Sequence, residues 1–297
     1  MKAIPYALLL PLLLGGTGLF CAEPPSAATV VWPGDVRSPA VCVGKSDWYA
    51  SVVPAEVRID AVTGALLQRA GVNSTGRILH LDPEERLCLL EAEDPLEGAA
   101  PVAIPAKTSL KPGQRAGCLS GSSSCRTTVA GKEWAYRGEN FHLPLLRMRL
   151  SQSGLDCRSG TPLVDDEGGL VGLLTGRGTS TKDEVFAIPA SRVRKVVEDL
   201  KRHRRSGPIW IGLVFHDDSS APEVVEVKGG SPAEIAEFRT GDVILALNGE
   251  RIASLAELVE QMHNLSAGEA VKFDVLRGVD SVEISVTPSF AIAEGAR

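Results

Sequence analysis

The stretch LDCRSGTPLVDDEGGLVGLLT, residues 155–175, decides how the rest of the chain is read. Ser159 stands in a short polar turn. An apolar run follows, then an acidic Gly-containing turn and a second apolar run. Short apolar runs bounded by such turns read as strand–turn–strand, and Ser159 is placed as a candidate nucleophile on it. A serine hydroxyl is a weak nucleophile until a base takes its proton. The reading of the chain therefore turns on which of its five histidines, if any, serves Ser159.

On both sides of this stretch, from Thr29 to about Pro189, short apolar runs alternate with Gly, Pro and Ser turns: AVCVG, AEVRIDAV, GRILHLD, RLCLLEA, EVFAIP. Strands at this spacing predict a β-barrel or sandwich. The period then changes. In ASRVRKVVEDLKRHRR, Val193, Val196, Val197 and Leu200 share one helical face. Its basic end, followed by Ser206, Gly207 and Pro208, reads as a solvated helix end running into a linker, since cations suit a helix C-terminus.

A second unit runs from Ile209 to Pro288. SPAEIAEF opens a short helix, with Ser231 as cap, Pro232 in its first position and Glu234 completing a capping box. TGDVILALNGERI is a strand, an Asn-Gly turn and a strand. SLAELVEQMHNL is an amphipathic helix capped by Ser254, with Leu255, Leu258, Val259 and Met262 on one face. EAVKFDVLRG and VDSVEISVTP predict a closing hairpin.

The 297 residues suggest about two domains, and 44% hydrophobic residues suffice for real cores. A net charge of −6 excludes bulk nucleic-acid binding. The first 28 residues read as a secretory signal: Lys2 is a short basic region, and Ile4–Leu14 is too short an apolar run to span a bilayer comfortably. Two ends to that leader stand side by side. Cleavage after Ala28 is the plainer one. A lipid anchor at Cys21 is the other, against which the bulky Phe20 argues. Export permits disulfides, and Cys118 and Cys125 bracket a polar loop that one could close, whereas Cys88 reads as a buried thiol. No CxxC pair and no metal-ligand spacing occur, so neither a metal nor a cofactor is expected.

The second unit, with GGSPAEIAEFRTGDVILALNGERIASLAELVEQM, resembles a PDZ domain, most nearly those of bacterial HtrA-type proteases. Such domains bind a C-terminus by adding it as a strand to a sheet edge. The resemblance implies that PIWIG, residues 208–212, holds the terminal carboxylate: Ile209, Trp210, Ile211 and Gly212 belong to the loop, Ile209 and Ile211 line the apolar pocket, and Leu255, Leu258, Val259 and Met262 supply the helix wall. Consecutive N–H groups beside a glycine suit an anion. Trp210, unusual there, would either cover the pocket or touch the neighbouring domain. Packing within the core is the alternative role for the helix residues.

The resemblance extends upstream. SGTPLVDDEGGLVGLLT matches the family's Gly-x-Ser-Gly-Gly-Pro-Leu and its next strand, and TGRILHLDPEERLCLLEA matches the pattern ending Asp-Leu-Ala-Leu-Leu. The family's orienting carboxylate falls on Arg86. Glu85 is adjacent, but a shift of one residue turns a strand side chain to the other face. The family's histidine should lie in DWYASVVPAEVRIDA, which has none, and no histidine precedes His80. The turn before Ser159 has Cys157 and Arg158 where the family has Gly-Asn, and Thr161 replaces a glycine; both changes work against an oxyanion hole.

The expectation is a mainly β protein: a chymotrypsin-like double β-barrel (29–190), a helix and linker (191–206), and an α+β PDZ domain (207–290). It is exported to the periplasm or cell envelope, and the resemblance implies homo-oligomers. It is read as a pseudoprotease that binds peptide or unfolded-protein C-termini, with Ser159 a relic. The alternatives are a serine endopeptidase using Ser159 in an atypical site, and a structural envelope protein with an unused groove.

Overall fold

The computed structural model describes residues 26–105, 111–119, 126–136, 142–150, 158–177, 184–216 and 221–291. Six strands form a first closed barrel: β1 (Ala27–Trp32), β2 (Val36–Cys42), β3 (Trp48–Val52), β4 (Ala65–Arg69), β5 (Val72–Leu81) and β6 (Leu87–Ala92), in the order β1-β2-β3-β6-β5-β4 and closed by β1 against β4. Six more form a second: β7 (Arg115–Cys118), β8 (Arg126–Tyr136), β9 (His142–Leu150), β10 (Pro162–Val164), β11 (Leu170–Arg177) and β12 (Glu184–Pro189), closed where Leu163 of β10 pairs with Cys118 of β7. All neighbours in both barrels are antiparallel.

The apolar run at β6 serves two cores at once. Leu87 and Leu89 point into a cluster shared with the second barrel and the helix, while Cys88 and Leu90 point into the first barrel. A strand buried on both faces reads as a continuous apolar run for this reason. Helix α1 (Ala190–His203) lays Val193, Val196, Val197 and Leu200 onto the shared cluster, as the 3.6 period predicts. Each side chain buried this way contributes about 1.5–3 kcal/mol. The helix ends at Arg204, in the left-handed region at φ 56°, whose N–H bonds to the Leu200 carbonyl.

The C-terminal unit comprises β13 (Ile209–Trp210), β14 (Leu213–Phe215), β15 (Val224–Val227), α2 (Pro232–Ile235), β16 (Val243–Leu247), β17 (Glu250–Arg251), α3 (Leu255–His263), β18 (Val271–Arg277), β19 (Asp280–Val286) and β20 (Ser289–Phe290). Both caps form. Ser231 Oγ accepts from the Glu234 N–H at 3.1 Å and Ser254 Oγ from the Glu257 N–H at 3.2 Å. The return bonds reach one residue further than a simple box, to the N–H groups of Gly230 and Ala253. This unit has its own core around Phe273, Leu258, Val224 and Ile211.

Ala27 and Ala28, at the end of the expected leader, belong to the first strand. They are the first residues of β1, buried and paired with Val41 and Ala40, and the Ser26 carbonyl accepts from the Cys42 N–H at 2.7 Å. A cut after Ala28 would remove these pairings. Cys21 and Cys125 lie outside the described residues. Cys42 and Cys88 are buried, and burial pushes both thiols up to about 12, with Asp47 adding to the rise at Cys42. Among the described residues no helix is long and apolar enough to cross a membrane.

Candidate functional sites

Ser159 sits where the two barrels meet. Its neighbour Gly160 has φ +86°, and a Cβ there would lie 2.4 Å from the Pro39 carbonyl oxygen and 2.5 Å from Ser51 Oγ, both in the first barrel. Only glycine fits. The strand opposite, β3, leads directly into a segment close to this turn. That segment is Val53-Pro54-Ala55-Glu56-Val57, without a histidine.

Arg86 fills the role of neither base nor acid. It holds a left-handed backbone, φ 60°, which costs an L-residue about 1–2 kcal/mol. Its guanidinium offsets this: Nε donates to the Val53 carbonyl at 2.8 Å, and one terminal nitrogen donates to the carbonyls of Pro54 at 2.6 Å and Val57 at 2.5 Å. A permanently charged donor now ties down this loop. Ser159 Oγ donates to the Thr175 carbonyl at 2.9 Å, so its proton is committed to an acceptor that cannot remove it.

Among the described side chains no histidine hydrogen-bonds to Ser159. His80 is buried, and burial followed by the Arg192 charge pushes its imidazole down to about 4. His203 stacks edge-on against Phe290, His216 is exposed at the end of β14, and His263 lies against Glu85. The side chain of His142, and Cys157, lie outside the described residues.

Glu85 is the functional residue whose role the sequence conceals. Its side chain is 1% exposed and is shared between the barrel and the C-terminal unit. Arg192 Nε donates to both its oxygens, at 2.7 and 2.9 Å, and His263 Nε2 lies 2.6 Å from Oε1. Arg192 also reaches Asp82 at 3.2 Å. Burial pushes the Glu85 carboxyl up, but the His263 hydrogen bond and the Arg192 charge outweigh it and hold it at about 2. Lys195, buried on the same helix, pairs with Asp199 at 2.6 Å and donates to the Gly207 carbonyl at 3.3 Å. Further contacts link the units: Lys132 to Glu260 at 2.7 Å, Arg202 to Glu269, and Arg205 over the Phe290 ring at 4.1 Å. The sequence signal was the charge series Arg192, Lys195, Asp199 at helical spacing, interleaved with the apolar face.

In the C-terminal unit, β13 pairs with β20 and the chain then turns at Gly212, φ +89°, where a Cβ would sit 2.1 Å from Ser231 Cβ. The carbonyls of Ile211 and Gly212 accept from the N–H groups of Ala233 and Lys228. They turn into the body of the unit, so the loop presents few acceptors to an incoming anion. Beyond it, β14 pairs with β15 on one edge, and among the described residues no strand pairs with the other. Against α3 lies a cavity of about 370 Å³, lined by Pro208, Ile209, Val259, Met262 and His263 and, from the barrel side and α1, by Asp82, Pro83, Glu84, Arg192 and Lys195.

The expected groove residues divide accordingly. Ile209 and Met262 line the cavity. Leu258, 0% exposed, and Ile211, 3% exposed, are core residues. At Leu258 the helix faces inward, the core-packing alternative, while Val259 lines the cavity. Trp210 is half-buried and does not line the cavity.

Comparison with known proteins agrees with this architecture. Residues 210–287 match the PDZ domain family. The Brucella suis protein named "Probable periplasmic serine endoprotease DegP-like" is 31% identical over 144 residues, 43% of this chain and 28% of the relative. A Marinomonas protein of the same name is 26% identical over 230 residues, 71% of this chain and 48% of the relative. The matches thus span about half or less of these relatives' own length. Among solved structures, "HtrA-type protease AlgW with decapeptide" superposes with a TM-score of 0.61 at 17% identity, covering 92% of this chain and 97% of that one. A serine endoprotease from Yersinia pestis gives 0.58 at 20% identity, covering 92% and 96%.

Proposed function

We propose that this HtrA-type chain, two barrels followed by a PDZ domain, is an exported pseudoprotease that binds the C-termini of peptides or unfolded proteins. The observation that carries the reading is the edge of β14, which follows the Gly212 turn and pairs with no strand on its outer side among the described residues. A peptide would add as a strand on that edge, its backbone bonding to β14. Its carboxylate would meet the turn whose carbonyls already face inward. Its last side chain would enter the cavity between Ile209 and Met262.

The inactive state of the barrel is supported by Arg86, bonded to three carbonyls of the loop opposite Ser159, and by the Ser159 proton committed to Thr175. A base and an orienting acid are what activate a serine, and neither stands in the segment the barrel presents. The rival reading, an endopeptidase with an atypical site, draws on Ser159 remaining at the barrel junction and on relatives named as endoproteases. Export is supported by the apolar N-terminal run and by relatives named as periplasmic. Homo-oligomers and a lipid anchor at Cys21 remain parts of the same proposal to be measured on the exported protein.

The experiment is calorimetric titration of the full chain with peptides carrying either a free or an amidated C-terminus. Micromolar binding of the free acid, about −8 kcal/mol or weaker, that falls sharply on amidation supports the reading. Equal binding of the two forms, or none at millimolar peptide, overturns it.

A further inference from the structure

The cavity beside α3 belongs to two units. Ile209, Val259 and Met262 give it an apolar wall from the PDZ side, whereas Asp82, Glu84 and Arg192 close it from the first barrel and α1. What this composite wall can recognise follows from which of its charges are already engaged. Arg192 is held by Glu85 and Asp82, His263 lies 2.6 Å from the Glu85 carboxylate, and Lys195, also on the barrel side, is held by Asp199 and the Gly207 carbonyl. Asp82 offers one oxygen to Arg192 and the other to the N–H groups of Glu84 and Glu85, at 2.9 and 2.8 Å. Glu84 is exposed, and its carboxylate has no hydrogen-bond or ion-pair partner among the described residues. Of the charged side chains lining the cavity, the Glu84 carboxylate is therefore the one left without a partner among the described residues.

We infer that the barrel takes part in reading the ligand, and that the cavity selects a terminal lysine or arginine. The aliphatic stem of such a side chain lies along Ile209, Val259 and Met262 while its cation reaches Glu84. Long basic side chains divide themselves between apolar and charged surroundings in this way. A purely apolar side chain fills the cavity but leaves Glu84 unmatched, and an acidic one meets like charge. This inference rests on the C-terminus reading above and adds to it the chemistry of the last residue and the role of the barrel turn.

The test uses the full chain and fluorescence anisotropy with three labelled free-acid peptides identical except for the last residue: lysine, norleucine or glutamate. Lysine should bind about threefold more tightly than norleucine, as suits one exposed ion pair, and glutamate more weakly than either. In Glu84→Gln the lysine preference over norleucine should vanish, and in Glu84→Lys the order of lysine and glutamate should reverse. Glu84 is exposed, so neither substitution threatens folding, which a melting curve checks. Equal binding of the three peptides, or a lysine preference unchanged in Glu84→Gln, overturns this inference and leaves C-terminus binding standing. Failure of all three to bind overturns both.

Discussion

Glu85→Gln is expected to destabilise the protein by about 3 kcal/mol, an estimate that two separate arguments reach. The first is linkage. The carboxyl is held at about 2 in the folded chain against an ordinary 4.5, and each unit of difference corresponds to about 1.36 kcal/mol. Because the folded value is depressed, the stabilisation is fully present above the ordinary carboxylate range and is lost as pH falls from about 4.5 towards 2. The second is burial. Glu85 is 1% exposed and Arg192 3%, and removing one member of a buried ion pair leaves the other uncompensated, at a cost of about 3–5 kcal/mol. His263 is 16% exposed, so its loss should cost less, about 1 kcal/mol, the usual net value of one hydrogen bond. The two share one oxygen, so Glu85→Gln combined with His263→Ala should cost little more than Glu85→Gln alone. Pairing Glu85→Leu with Arg192→Met should recover most of the loss, since apolar replacements of a buried pair are often neutral. Urea unfolding followed by tryptophan fluorescence measures all four variants at pH 7. A cost below about 0.5 kcal/mol for Glu85→Gln, or full additivity with His263→Ala, would refute the shared buried carboxylate.

His80 should give a second pH signature. Its folded value of about 4 lies below the ordinary 6.5, so the unfolded chain takes up a proton that the buried ring refuses; stability should fall as pH drops from about 6.5 to 4, and His80→Leu should flatten that slope in denaturation curves. Gly212→Ala places a Cβ 2.1 Å from Ser231 Cβ at φ +89° and should lower PDZ-unit stability by about 2 kcal/mol or more along with peptide affinity; an unchanged melting temperature would argue against the turn. A chain begun at Thr29 loses the Ala27 and Ala28 pairings and the Ser26–Cys42 hydrogen bond. It should be less stable than one begun at Ser26 by about 1–3 kcal/mol, and equal melting of the two would show that β1 does not need them.

The legible parts of the sequence were those where local chemistry and fold agree. The 3.6 period of Val193, Val196, Val197 and Leu200, the serine caps at Ser231 and Ser254, and the Asn-Gly turn each carry their structure within a few residues. Arg86 in the acid's place was equally plain, although its three bonds to the loop opposite Ser159 depend on contacts about thirty residues apart in the chain. What stayed hidden depends on which way a side chain turns once two units pack. Leu258 and Val259 are adjacent and both apolar, yet one enters the core and the other lines the cavity. Glu85 read only as the neighbour of Arg86 on the other strand face, and the approach of α1 and α3 makes it the buried centre of the junction. Small residues such as Ala27 and Ala28 suit both a cleavage site and a tightly packed first strand, so their type alone does not separate the two.

The central claim, a serine without a base, is tested most directly by intact-mass analysis of the purified chain after incubation with an excess of a fluorophosphonate probe. Such a probe adds to a serine only when its oxygen is activated. With the Ser159 proton held by the Thr175 carbonyl and Arg86 tied into the facing loop, the account predicts unmodified protein, with the same spectrum for Ser159→Ala. A stoichiometric adduct on the unaltered chain, absent from Ser159→Ala, would contradict it.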